Sequence, residues 1–132
     1  MIDMIRLAGK VAMPSDKMDR RNFYLGCIGI RKDGVLVSAK NGATEYYDTV
    51  PYYNLIPNSH AEGRCLRKLG KGGILYVARI AKKDHALAMS RPCDMCQVRI
   101  AAAKVKKVYY SINEEYYGLW LPQENTDRIF KV

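Results

Sequence analysis

The chain lacks a long apolar run. Hydrophobic residues make up 48% and charged residues 27% of its 132 positions, the balance of a soluble globular protein, and no stretch reads as a membrane span. No membrane partner is therefore expected. The first residues lack the apolar core of a secretory signal, because Asp3, Arg6 and Lys10 fall among them, and this predicts a cytoplasmic location. Internal repeats and low-complexity segments are missing too. A length of 132 residues leaves room for one buried core, so a single domain over 1–132 is expected.

Acidic side chains are the scarce charge: 13 Asp and Glu stand against 22 Lys and Arg, a net of +9. The imbalance is local. Between His60 and Lys107, twelve Lys and Arg face only Glu62, Asp84 and Asp94, so this segment alone carries a surplus of +9. Two explanations stay open, solubilising lysines on helix backs or contact with a phosphate-bearing partner.

Apolar residues at 2, 4, 5, 7, 8, 11 and 12 form a near-helical stripe that Pro14-Ser15 ends, predicting a first helix over 2–13. The run from Phe23 to Arg31 is rich in β-formers. Asp33-Gly34 reads as a two-residue hairpin turn and Val35-Leu36-Val37 as the returning strand, closed by Asn41-Gly42. Residues 43–58 hold four tyrosines, two prolines and no clear period, which predicts one long loop. A helix is expected over 60–69, capped by Ser59 or Asn58 and stopped by Gly70. Strand 74–80, helix 93–104 with Pro92 near its first position, and strand 106–112 follow, with 128–132 as a further candidate strand. Leu119-Trp120-Leu121-Pro122 is apolar enough to dock on the core or on a partner subunit. The order implies an α/β fold with a mixed sheet and helices on its faces.

The chemistry concentrates in two short motifs. His60-Ala61-Glu62 is followed, thirty-three positions after the histidine, by Pro92-Cys93-Asp94-Met95-Cys96. Together they offer one imidazole, two thiolates and one carboxylate. Three protein ligands with an open fourth position make a catalytic rather than a structural zinc site. His85 or Cys65 could supply a fourth ligand. Both ligand sets fall at predicted helix N-termini, where the positive helix end favours thiolate over thiol. Glu62 stands close enough to the metal to take a proton from water and return it to a leaving amine, so hydrolysis of an aromatic amidine carbon is the expected reaction. Cys27 and Cys65 lie in apolar stretches and read as small buried side chains, with a reactive or ligating role as the alternative. A zinc ion and two thiolates add nothing to the +9 of the segment, which leaves that surplus for an anionic partner.

These motifs, with the helix–strand order around them, resemble the cytidine and deoxycytidylate deaminase superfamily from the first helix to Val108. The resemblance implies a three-layer α-β-α fold with a mixed central sheet of about five strands. It implies Zn2+ held by His60, Cys93 and Cys96, Glu62 as the catalytic acid and base, and the backbone N–H of Ala61 facing the base carbonyl. Ala39-Lys40-Asn41-Gly42 resembles a turn from which such enzymes contact sugar and base, which implies a substrate contact for Asn41, although the glycine expected at 39 is Ala39; the alternative is an Asn-Gly that turns the chain. Val108-Tyr109-Tyr110 is similar to an aromatic pair of deoxycytidylate and polynucleotide deaminases, so Tyr110 would border the base while its neighbour packs in the core. Arg91 could meet a phosphate or remain a surface residue. The superfamily also implies a homo-oligomer.

Three substrates or roles follow. The first is a free (deoxy)cytidine nucleotide of deoxycytidylate type, converted from cytosine to uracil. The second keeps the chemistry but acts on cytosine or adenine in single-stranded nucleic acid, supported by the basic segment, the loop tyrosines and Met95. The third is a non-catalytic zinc-folded protein that binds nucleotide or nucleic acid, against which the intact Glu62 argues.

Overall fold

In the computed structural model, the described residues are 1–14, 19, 21, 23–42 and 60–132. The expected loop over 43–58 and the Asn58 and Ser59 caps lie outside them. Helix α1 (Ile2–Ala12) precedes strands β1 (Tyr24–Ile30) and β2 (Leu36–Lys40); then come α2 (Ala61–Leu69), β3 (Ile74–Ile80), the two-residue β4 (Leu87–Ala88), α3 (Asp94–Ala102), β5 (Lys107–Ser111), β6 (Tyr116–Leu121) and β7 (Thr126–Lys131). Among the described residues the strands form one seven-stranded sheet in the order β2-β1-β3-β5-β6-β7, with β4 paired to β3.

The sheet is mixed because of its connections. Tight turns make β1–β2, β5–β6 and β6–β7 antiparallel, whereas the crossover through α3 makes β3 and β5 parallel. Strand alternation then sends side chains to two separate cores. Cys27, Leu75, Val77, Val108 and Tyr110 pack with α2 and α3, while Tyr24, Ile28, Tyr76, Ala78, Ile80 and Tyr109 pack with α1. Helices therefore cover both faces, and the expected α/β three-layer arrangement is present.

Gly26 shows how closely α1 lies on β1: a side-chain carbon there would collide with the Ala8 carbonyl and sit 2.7 Å from the Ala12 nitrogen. The small residues on the buried stripe of α1, Ala8, Gly9 and Ala12, match that approach.

Two expectations need correction. Among the described residues the sheet has seven strands and not about five, since β4 is too short to leave a pattern and the tail from Tyr116 folds as the β6–β7 hairpin. Asn113 turns the chain from β5 into β6 by accepting the amides of Glu115 and Tyr116 at 2.8 and 2.9 Å, and Trp120 lands in the core of the same chain. The β1–β2 turn is also longer than two residues. Arg31 N–H donates to Val35 at 2.8 Å, leaving Lys32, Asp33 and Gly34 in the loop, with Gly34 at φ 88°.

Candidate active site

Helices α2 and α3 start at the same end of the sheet, and each start presents a metal-ligating residue. His60 is the N-cap of α2 (φ −75°, ψ 145°) and Cys93 the N-cap of α3 (φ −67°, ψ 164°). An N-cap side chain ordinarily bonds first-turn amides, but neither of these does. They turn instead towards each other and towards Cys96, one turn into α3. His60 Nδ1 lies 3.1 Å from Cys96 Sγ and 3.6 Å from Cys93 Sγ, and all three ligand atoms fall within 4.8 Å of one another.

The charges at this triad suit a cation. A hydrogen bond from Cys96, reinforced by one from His60, holds the Cys93 thiol down to about 4, while the Cys93 sulfur and burial push Cys96 up. The sulfur pair thus keeps one proton that a soft divalent cation would displace. One imidazole nitrogen and two sulfurs form a donor set that fits Zn2+ and is poorly suited to the hard cations Mg2+ or Ca2+. Among the described residues no fourth protein ligand joins them: Cys65 is buried under β1, and His85 packs edge-on against Tyr24 at 6.2 Å.

Glu62 is 2% exposed, and burial raises its carboxyl above the ordinary range. Its Oε1 has no hydrogen-bond partner among the described residues. A buried polar atom left in this state is uncommon and costly, and it fits a carboxyl that meets water or substrate in use.

A cleft of about 190 Å³ opens onto this group, lined by His60, Glu62, Cys93, Phe23, Arg79 and Arg91 among others. Two buried serines fix the chain that leads into Cys93. Ser90 Oγ donates to Val77 O at 3.0 Å and accepts Ser111 N–H at 2.8 Å, and Ser111 Oγ donates to Ala88 O at 2.6 Å. Arg91 forms a two-pronged pair with Asp127 at 2.9 and 2.8 Å.

The remaining predicted residues fall in different places. Ala61 is fully buried at the first position of α2, where amides have no partner within the helix. Asn41 is 5% exposed. Its Oδ1 accepts Arg21 Nη1 and Leu25 N–H, both at 2.9 Å, and its Nδ2 donates to Phe23 O at 2.9 Å, so it braces the edge of β1 beside the cleft-lining Phe23 and Leu25. Tyr110 points into the α2–α3 core and donates its hydroxyl to Asp127 at 2.6 Å. Cys27 and Cys65 are fully buried, as the sequence predicts.

Phe23, Arg79 and Ser90 were not legible as cleft residues, nor Asp127 as the partner of Arg91, because nothing in their local sequence marks contacts that only the pairing of β1 with β3 and of β6 with β7 assembles. The basic segment is also divided. Arg79 and Arg91 line the cleft. Lys71, Lys104, Lys106 and Lys107 sit at the far ends of α2 and α3, where Gly72 N–H bonds Ala103 O and Lys106 N–H bonds Gly73 O.

No curated protein sequence matches the chain. Among solved structures, a cytidine deaminase from Burkholderia pseudomallei is similar at 18% identity and a TM-score of 0.48, over 98% of this chain and 88% of that one. RibD from Acinetobacter baumannii (form 2) is similar at 21% identity and a TM-score of 0.48, over 80% of this chain but only 26% of RibD, so the chain spans about a quarter of that protein. The family model of the cytidine and deoxycytidylate deaminase zinc-binding region matches residues 2–112, a span that contains His60, Glu62, Cys93 and Cys96 and stops before β6. By that match the chain belongs to the cytidine and deoxycytidylate deaminase zinc-binding family.

Proposed function

We propose that the protein hydrolyses the exocyclic amine of cytosine in a phosphorylated (deoxy)cytidine, of deoxycytidylate type, giving uracil and ammonia. The observation that carries this reading is the charge of the cleft: Arg79 and Arg91 stand at its wall, and Glu62 is the one acid among its described lining residues. Two guanidinium groups beside a base-sized cavity suit a phosphate on the sugar of the same small molecule.

His60, Cys93 and Cys96 would hold the zinc ion, which supplies Lewis acidity and makes water nucleophilic at neutral pH. Glu62 takes one proton from the attacking water and delivers it to the amine that leaves as ammonia, a role helped by burial that keeps its proton affinity high. The Ala61 amide, at the positive end of α2, would donate to the base carbonyl. Phe23 and Leu25 supply apolar wall for the flat ring.

A polynucleotide would need a basic track leading to the cleft, yet four lysines of the basic segment lie at the opposite end of α2 and α3. Ammonia release from deoxycytidylate, deoxycytidine, cytidine and a C-rich single-stranded oligonucleotide tests the reading. Turnover is expected with deoxycytidylate at a kcat/KM at least about tenfold above deoxycytidine, a difference of one good charged contact. Turnover of the oligonucleotide alone would overturn it.

A further inference from the structure

The β6–β7 hairpin lies beyond residue 112, where the family match ends, yet it reaches back to the cleft through Asp127. Resting on the nucleotide reading above, we propose that Asp127 is a positioning residue that orients the Arg91 guanidinium for the phosphate of the substrate.

The support for Arg91 is layered. Asp127 takes Nε at 2.9 Å and Nη2 at 2.8 Å, a planar fork that fixes the guanidinium plane and leaves its Nη1 edge outside the pair. The guanidinium also lies over the Trp120 ring, 5.8 Å from the centroid. Asp127 is in turn held by the Tyr110 hydroxyl at 2.6 Å. That contact spans β6, because β5 pairs with β6 and β6 with β7. It is possible only because position 118 is glycine: any side chain there would collide with the Tyr110 ring. Trp120 donates to Asn125 Oδ1 at 3.1 Å, which fixes the floor beneath Arg91.

Asp127 has two opposed effects on an incoming phosphate. Its charge offsets that of Arg91, which weakens attraction, and its fork removes rotamer freedom that a partly exposed arginine would otherwise lose on binding. The buried tyrosine behind the carboxylate and the indole beneath the guanidinium both serve the second effect. Orientation therefore outweighs neutralisation, and removing the carboxylate weakens nucleotide binding.

The test compares Asp127→Asn and Asp127→Ala with the unaltered enzyme on deoxycytidylate and deoxycytidine. The ratio of their kcat/KM values should fall about tenfold, within what one immobilised side chain contributes, with the loss in KM for the nucleotide. Trp120 is the chain's single tryptophan and lies under Arg91, so its fluorescence gives a direct Kd for deoxycytidylate that should rise by the same factor. Asp127→Glu should recover part of the preference. Where the Asp127 variants do not fold, Arg91→Lys keeps the charge, loses the fork and should show the same drop in preference. Nucleotide KM and Kd that stay unchanged or decrease in the Asp127 variants, or an Arg91→Lys enzyme that keeps the full preference, overturn the positioning role. If the unaltered enzyme treats nucleotide and nucleoside alike, it is the nucleotide reading that fails, and the positioning role fails with it.

Discussion

Glu62 sits 2% exposed, with one carboxyl oxygen unpartnered among the described residues, an arrangement that costs about 1–3 kcal/mol in a folded protein. Its place in the first turn of α2 suits an acid, but does not account for an unpartnered oxygen in a buried position. Glu62→Gln is expected to lower turnover by about 10²–10⁴-fold while the triad still binds zinc, checked by steady-state kinetics beside metal analysis of the same preparation. Retained turnover would remove the proton-transfer role. The four motif residues were readable from sequence because each role demands a residue type at a fixed spacing: Cys93 and Cys96 are one helical turn apart, and Glu62 follows the N-cap His60 by two. Asn41 and Tyr110 were a different case. Their side chains could serve either substrate or scaffold, and only their partners, Arg21 and Leu25 for the one and Asp127 for the other, show the scaffold bonds they make.

At the scale of elements, the seam between α1 and β1 depends on a position with no side chain. Gly26 pairs with Lys40 and Ala78 on either side and faces the backbone of α1, so the helix cannot rest on the sheet with a methyl group in between. Gly26→Ala is expected to destabilise the protein by about 1–3 kcal/mol, read as a lower denaturant midpoint, whereas an unchanged midpoint would mean that α1 shifts without loss. The longer elements were legible from sequence within one or two residues at each end, since α1 and α2 carry an apolar stripe of helical period and β3 is a short apolar run, buried at most positions, that follows Gly72-Gly73. Strand β6 was not, and β7 was legible only as a candidate strand over 128–132. Strand β7 is exposed at every position, so it lacks the alternation that marks a half-buried strand, and its register follows from pairing with β6 alone.

For the molecule as a whole, the metal triad ties together the two helices that cover one face of the sheet. His60 belongs to the start of α2 and the cysteines to the start of α3, so a cation held by all three would couple both helices to folding. Thermal unfolding should therefore shift to lower temperature with a strong chelator and return on adding zinc, by about 4 kcal/mol when free zinc exceeds its Kd a thousandfold; a transition insensitive to both would show that the triad does not hold the ion in solution. The sequence by itself determined the family chemistry, the donor set and the alternation of helices and strands, because ligand type, spacing and hydrophobic period are local properties of the chain. Only the tertiary structure decided which of the twelve basic residues between His60 and Lys107 face the cleft and that the tail returns as a hairpin. It also joined Asp127 to Arg91, since residues thirty-six positions apart meet only when the parallel pairing of β3 with β5 sets the sheet order and the β6–β7 hairpin completes it.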